Sequence, residues 1–224
     1  MASDSARKTR GKPAPDEPGY GDPQAAAAIL AHVRKHIGAV DSVFHEMDGE
    51  GISIDIHHVP PRIGRNVHSF VTTGMSDRPM PARSGVRHAE LVMCVPADWD
   101  MGERALESGG SGWPLELLRA LGRLPHEHGV AFDFGLCTDD RALPFGVPGD
   151  MGFTSVLLAP PVTVPDEFWC LDAGNGKVID FFGVVLLYPE ELAFARFDGV
   201  VALARKLDSM SVTELAQPGR KRAV

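Results

Sequence analysis

The first regular apolar spacing lies just after a polar N-terminal region. In "PQAAAAILAHVRKHIG" the apolar residues, Ile29 and Val33 among them, recur at three- and four-residue steps, which gives a helix one apolar face. Asp22 and Pro23 supply an N-cap side chain and a proline at the first helical position, and Gly38 is a natural stop. The pattern predicts a helix from Pro23 to Gly38.

A second helical pattern occupies the middle of the chain, and a third lies near its end. "WPLELLRALGRLPHEHG" places Trp113, Leu117 and Leu121 on one face. Pro125 is predicted to stop this helix, because proline lacks the N–H of a helical hydrogen bond. "PEELAFARFDGVVALARKLDSM" predicts one or two closing helices. The polar stretch before Trp113 is expected to be a loop with at most one helical turn.

Between the helices, apolar and β-branched residues come in short runs bounded by turn residues, as is typical of strands. "SVFHEM" and "ISIDIHHV" flank the turn "DGEG" and predict a hairpin. Further strands are predicted over Val67–Thr73 and His88–Val95, in "FTSVLLAPP", and around the glycine turn of "EFWCLDAGNGKVIDFFGVVLLYP". Because the strands come in runs and do not alternate strictly with helices, we predict an α+β fold in one domain.

Charge is unevenly placed along the chain. Residues 1–22 predict a disordered basic tail, residues 23–210 the folded domain, and residues 211–224 a basic C-terminal tail with a frayed end. The body from Pro13 to Gly219 has 15 basic and 29 acidic residues, a net charge of −14. Such a body repels nucleic-acid backbones and suits basic partners, although a need for solubility explains it equally well.

Export, membrane and redox signals point to a cytoplasmic protein. The N-terminal charges are not followed by a hydrophobic segment, and no apolar run approaches the ~18 residues of a membrane span. Cys94, Cys137 and Cys170 are widely spaced among apolar residues, which argues against a disulfide framework or a zinc knuckle. We expect reduced and mostly buried thiols.

Motifs for catalysis or metal binding are incomplete. "GNGKV" lacks the first glycine and the hydroxyl residue of a phosphate-binding loop, and "HEMDG" lacks the second histidine of a zincin. His126 and His128 are able to reach one metal, with Asp133 or Cys137 near them in sequence, but the spacing identifies at most two ligands. A metal-dependent hydrolase is kept only as an alternative, and no cofactor is predicted.

The segment "FVTTGMSDRPM" joins the end of a predicted strand to a set of turn residues. Gly74 allows the chain to leave the strand, Ser76 and Asp77 can bond to the backbone of the loop, and Pro79 fixes its exit. Arg78 can pair with Asp77 or with a remote acid. The two methionines of the segment suit either a core or an adaptable contact surface.

Several segments in a fixed order resemble the suppressor of fused family in its bacterial single-domain form. They are "SIDIHHVPP", "FVTTGMSDRPM", "AELVMCVPADW", "WPLELLRALGRLP", "FTSVLLAPP" and "DFFGVVLLYPEELAF", and they span roughly residues 25–210. One departure is Gly135–Thr138, where relatives tend to carry a Gly-His-Thr turn. The signature positions, which we interpret as structural, are Gly74, Met75, Ser76, Asp77, Arg78, Pro79, Met80, Glu90 and Trp99.

The resemblance implies a central, mostly antiparallel mixed sheet flanked by helices, and a non-enzymatic role in binding a protein. Bacterial single-domain members look like immunity proteins that neutralise a cognate toxin, and the acidic body fits a basic, nuclease-type toxin. Larger animal relatives capture a peptide by strand addition, so a regulatory adaptor is the alternative. Candidate partner contacts are the loop acids Asp98, Asp100, Glu103, Asp139 and Asp140.

Overall fold

A seven-stranded sheet runs through the centre of the fold. The computed structural model describes residues 21–46, 51–81, 87–107, 110–135, 147–148 and 151–224. In chain order its helices and strands are α1 (Pro23–His36), β1 (Ser42–Phe44), β2 (Asp55–Val59), β3 (Val67–Thr73), β4 (His88–Pro96), α2 (Glu103–Glu107), α3 (Trp113–His128), β5 (Ser155–Ala159), β6 (Cys170–Asp172), β7 (Val178–Leu187), α4 (Pro189–Asp198) and α5 (Val200–Ser209).

The strand order across the sheet is β1-β2-β3-β4-β7-β5, and β6 pairs with the first residues of β7. Neighbouring strands are antiparallel except β4 and β7, which run parallel from the His88–Ile179 pair to the Val92–Gly183 pair. The predicted α+β class, with a central, mostly antiparallel mixed sheet flanked by helices, is therefore confirmed. The strands of both predicted hairpins pair antiparallel, β1 with β2 and β6 with β7. However, β1 ends at Phe44 and β2 begins at Asp55, and residues 48–50 of the predicted turn lie outside the described residues.

The two faces of the sheet bury different helices. Alternate residues of β7 show this arrangement, because successive side chains of a strand point to opposite faces. Phe182 and Val184 pack with α3 on one face, whereas Phe181 packs with α1 and Val185 with α5 on the other. Within the described ranges, no helix has both the length and the apolar character needed to cross a bilayer.

Helix α1 begins as predicted, whereas α3 does not end as predicted. The Asp22 carboxylate caps α1 by accepting from the N–H groups of Gln24 and Ala25 at 3.1 Å. Helix α3 continues through Pro125 to His128, so the predicted stop at Pro125 is wrong. Proline removes one backbone hydrogen bond from the last turn of the helix, and burial of its ring offsets that loss.

The C-terminal segment, residues 211–224, packs against the domain. The Cys94 N–H on β4 donates to the Glu214 carbonyl at 2.9 Å. Further along, Arg220 forms an ion pair of 2.6 Å with Glu191, whose side chain is fully buried. The frayed end expected from the sequence is therefore wrong, because both Arg220 and the Ala223 N–H bond to the buried Glu191 carboxylate. Composition alone does not reveal that pairing.

Candidate functional site

The signature turn, residues 74–80, leaves β3 through a conformation that requires glycine. Gly74 has a φ of 109°, and a Cβ atom there would lie 2.1 Å from the Ser53 carbonyl oxygen. Met75 and Met80 are both part of the main core, which decides between the two uses open to them. The signature residues differ in burial. Five are buried: Gly74, Met75, Ser76, Met80 and Glu90. Asp77 and Trp99 are half-buried, and Arg78 and Pro79 are exposed.

Glu90 on β4 satisfies the backbone of this turn from inside the core. Its carboxylate accepts from the Thr72 hydroxyl at 2.6 Å, the Gly74 N–H at 3.1 Å and the Ser76 N–H at 2.9 Å. The sequence analysis assigned that task to Ser76 and Asp77, which lie in the turn itself. Burial raises the pKa of Glu90 from 4.5 to about 7, even though the three hydrogen bonds favour the carboxylate.

Asp77 holds the turn to the start of α1. Its carboxylate accepts from the Asp22 N–H at 3.0 Å. Asp22 caps the helix and also receives the Lys177 ammonium group at 3.1 Å, so the turn, α1 and the β6–β7 hairpin meet here. Burial raises the pKa of Asp77, although the Asp22 N–H favours its ionised form. The Asp77 carboxylate thus has a hydrogen-bond partner in the backbone that begins α1.

One of the two histidines that suggested a metal contacts the same turn. His126 bonds to the Met75 carbonyl at 3.1 Å, and burial lowers the pKa of its ring, whereas His128 is exposed. Asp133 is exposed and lies 3.5 Å from Arg87, and Cys137 falls outside the described residues. Among the described residues, no three His, Cys, Asp or Glu side chains converge on one point.

The remaining cysteines differ in exposure from the prediction. Cys94 is free and buried, as expected, and burial raises the pKa of its thiol. Cys170 is free but exposed, because β6 pairs with β7 on one side and places its first residue at the surface. The prediction of buried thiols is thus wrong for Cys170.

The acidic loop, residues 98–103, follows the far end of β4, and its last residue, Glu103, is also the first residue of α2. Asp98, Asp100 and Glu103 are all exposed, and Asp100 accepts from the N–H two residues later at 2.9 Å. Trp99 anchors the loop through two contacts. Its indole N–H donates to the Ser111 carbonyl at 2.9 Å, and its ring packs edge-on against the Trp113 ring, with 5.9 Å between the ring centres. The second pair of candidate contacts, Asp139 and Asp140, lies outside the described residues.

A chain of hydrogen bonds between histidines, which the sequence analysis missed, supports the base of this loop. His68 donates to the Ala97 carbonyl at 3.2 Å, so its other ring nitrogen accepts from His58 at 2.8 Å. His58 in turn accepts from the Ser42 hydroxyl at 3.2 Å. Burial, followed by the proximity of His68, lowers the pKa of His58 to about 4 and keeps this ring neutral. Only the strand register brings these side chains together, so the sequence carried no direct signal.

The fold and its turn define an α+β domain with a mixed sheet, a buried carboxylate under the β3–β4 connection and an exposed acidic loop. The family model of suppressor of fused protein (SUFU) matches residues 50–221, so the chain belongs to the suppressor of fused family. Proteins of this family are non-enzymatic regulators that bind other proteins. The recognition made from the sequence is confirmed.

Two solved structures share this fold. One is a suppressor of fused homolog from Neisseria gonorrhoeae FA 1090, with 17% identity and a TM-score of 0.67, covering 91% of this chain and 98% of that one. The other is the Sufu–Fu complex, with 16% identity and a TM-score of 0.63, covering 92% of this chain and 93% of that one. No curated protein matches the chain.

Proposed function

We propose that this chain acts by binding a protein in the cytoplasm and that the partner is a toxin domain, which the chain neutralises as an immunity protein. The observation that carries the proposal is the exposed acidic loop on a body with a net charge of −14. Membership of the suppressor of fused family supports a role in binding over catalysis. The acidic surface favours a basic, nuclease-type toxin, because complementary charge speeds capture and can cover a nucleic-acid-binding site.

Two basic residues of the C-terminal segment pair with acids of the same chain. Arg220 is paired with Glu191 at 2.6 Å, and Arg222 lies 3.1 Å from Glu190. These two arginines of the predicted basic tail thus face carboxylates of α4. This pairing argues against the C-terminal segment as a nucleic-acid contact, since phosphate binding would have to compete with the buried Glu191.

The proposal is tested with the toxin candidate encoded beside the gene. Association is measured at low and high salt for the natural chain and for a loop variant with Asp98→Lys, Asp100→Lys and Glu103→Lys. We expect the variant to associate at least tenfold more slowly at low salt, because steering by charge acts mainly on the association rate.

A control variant separates a local effect from one of net charge. Its three substitutions change the total charge by the same amount at exposed acids away from the loop: Asp166→Lys, Glu167→Lys and Asp198→Lys. We expect it to associate within about threefold of the natural chain. A toxin candidate that ignores the natural chain at low salt, or equal losses in both variants, would contradict the proposed contact.

A regulatory adaptor that captures a peptide by strand addition remains the second candidate. It is favoured by the position of β5 at the end of the sheet order, where a further strand can add. The Gly135 N–H already donates to the Leu158 carbonyl at 2.8 Å, so an added strand would have to compete with that hydrogen bond. A toxin gene beside this one favours the immunity role, and a regulator gene favours the adaptor. Stoichiometric zinc or manganese in the purified protein would favour the hydrolase instead.

A further inference from the structure

We propose that a cleft between α5, β5 and the C-terminal segment is a peptide-binding site, which takes one large apolar side chain flanked by basic residues. The inference rests on the proposed function only in supposing a protein partner. It adds a second contact, built from other elements than those of the acidic loop.

The cleft has a volume of about 370 Å³ and a mostly apolar lining. Leu157 of β5 and Val185 of β7 form its floor, and Leu207 of α5 forms one wall. The opposite wall comes from Val162, in the loop after β5, and Val212, in the C-terminal segment. This volume lies within the usual range for ligand sites and is large enough for an indole or a pair of aliphatic side chains.

Small side chains line part of the cleft on both β5 and α5. Ala159 of β5 and Ala204 of α5 both belong to the lining, and Ala204 is exposed. Val162 leaves 58% of its surface exposed at the rim. An apolar side chain of a partner would therefore cover apolar surface that the described part of the chain leaves in water.

Hydrogen bonds hold the opposite wall, that of Val162 and Val212, in place, so the cleft is formed before any ligand binds. The buried Glu214 carboxylate accepts from the N–H groups of Val162 at 3.1 Å and Thr163 at 2.8 Å. The backbone of the same residue is tied to Cys94 of β4 at 2.9 Å. Ser211 adopts a left-handed φ of 54°, which turns the chain out of α5 and back along the cleft. A fixed cleft lowers the ordering cost of binding.

The charged residues that line the cleft favour a ligand of positive charge. Asp208 and Glu214 are acidic, and among the residues that the structure describes, no basic side chain lines the cleft. The Glu214 carboxylate already accepts hydrogen bonds from the N–H groups of Val162 and Thr163. Asp208, which is exposed at the end of α5, is therefore the carboxylate of the lining that can contact a ligand. A lysine or arginine next to the inserted side chain would pair with Asp208, whereas an acidic neighbour would be repelled.

Three short peptides test the ligand class directly on the ¹⁵N-labelled full chain. They are acetyl-Gly-Lys-Trp-Lys-Gly-amide, its counterpart with Glu in place of both Lys residues, and the Lys peptide with Ala in place of Trp. Titration followed by NMR reports on the backbone amides of Leu157, Ala204 and Val212. We expect the Lys-Trp-Lys peptide to shift these amides and to bind at least fivefold more tightly than either of the others.

Two variants place the binding in the cleft. Ala204→Phe fills the opening from an exposed position and is expected to weaken Lys-Trp-Lys binding at least fivefold. Arg205→Phe adds the same ring at the next exposed residue of α5 and is expected to change it less than twofold. Asp208→Asn is expected to weaken the Lys peptide about threefold and not the Glu peptide, with Asp198→Asn as its control.

Each outcome decides the inference. Equal binding of the three peptides, shifts confined to other surfaces, or an unaltered affinity in Ala204→Phe would overturn it. A toxin candidate that does not bind, together with a Lys-Trp-Lys peptide that occupies the cleft, would remove the proposed function and leave the cleft as a binding site. A toxin that binds the natural chain and Ala204→Phe equally would overturn the cleft as its contact and leave the immunity role standing.

Discussion

The signature turn and the acidic loop lie at opposite ends of β4, and the carboxylates at the two ends differ in burial and in hydrogen bonding. At one end, Glu90 is fully buried and accepts three hydrogen bonds from the turn. At the other, Asp98 and Asp100 are exposed in a loop anchored by Trp99. Pro96 lies six residues after Glu90, which separates the two sites by roughly 20 Å at the rise of a β-strand.

The contrast shows that the most recognisable part of the sequence contains a carboxylate enclosed by the core, whereas the acids of the loop are open to solvent. Glu90 accepts from the Gly74 N–H, and a Cβ atom at position 74 would lie 2.1 Å from the Ser53 carbonyl oxygen, so the turn restricts which residues fit there. The acids of the loop have no such constraint, since an exposed carboxylate stabilises the fold very little. A surface of that kind is free to match one partner.

The largest effect is expected from removing the buried carboxylate. Glu90→Ala leaves the donors of Thr72, Gly74 and Ser76 without their acceptor in the core. We expect the free energy of unfolding at pH 6 to fall by about 3–5 kcal/mol, as measured by urea denaturation. A loss below 1 kcal/mol would mean that the turn does not depend on Glu90.

A second expected effect is a dependence on pH that Glu90→Gln removes. The pKa of Glu90 is raised from 4.5 to about 7 in the folded chain, so the folded state binds this proton more tightly than the unfolded state does. Its contribution to stability is therefore complete below pH 4.5 and is lost as the pH rises through 7. Relative to the natural chain, Glu90→Gln should gain up to roughly 3 kcal/mol between pH 5 and pH 8.

The measurement is a set of urea denaturations of both proteins at pH 5, 6, 7 and 8. The low pKa of His58, about 4, has the opposite effect, because stability from a depressed histidine pKa is lost as the pH falls. This contribution is common to both proteins and cancels in their difference. Parallel stability curves would contradict the raised pKa of Glu90.

A smaller loss is expected from Asp77→Ala. The substitution removes the acceptor of the Asp22 N–H and loosens the start of α1. We expect a cost of about 1–2 kcal/mol, or a Tm lower by roughly 2–6 °C, while the folded protein still binds its partner. Asp166→Ala, at an exposed acid, serves as the control. Unchanged stability combined with lost binding would make the turn a contact surface and reverse the comparison.

The smallest effect on stability is expected at the acidic loop. Asp98→Asn together with Asp100→Asn should change the free energy of unfolding by less than about 0.5 kcal/mol, since asparagine retains the oxygen that accepts from Gly102. Partner association should slow at low salt in the same variant. A stability loss above 1 kcal/mol would show that the loop acids support the fold, as Glu90 does.

The elements that followed from local pattern were predicted well. The bounds of β3, Val67–Thr73, agree with the prediction, and so do the start of α1 and its Asp22 cap. The end of α3 was missed because Pro125 is held in the helix by burial, a property of the whole core. The packed C-terminal segment was missed for the same reason, since Arg220 and Glu191 are far apart in sequence.

The sequence by itself determined the sheet-forming segments, the α+β class and the family, because periodicity, turn residues and motif order are local properties. Only the tertiary structure decided which polar groups meet: Glu90 with the turn, His58 with His68, and Glu214 with the wall of the cleft. These contacts join residues distant in the chain, and they depend on strand register and burial. The same holds for the cleft, whose opening arises from the approach of three separate segments.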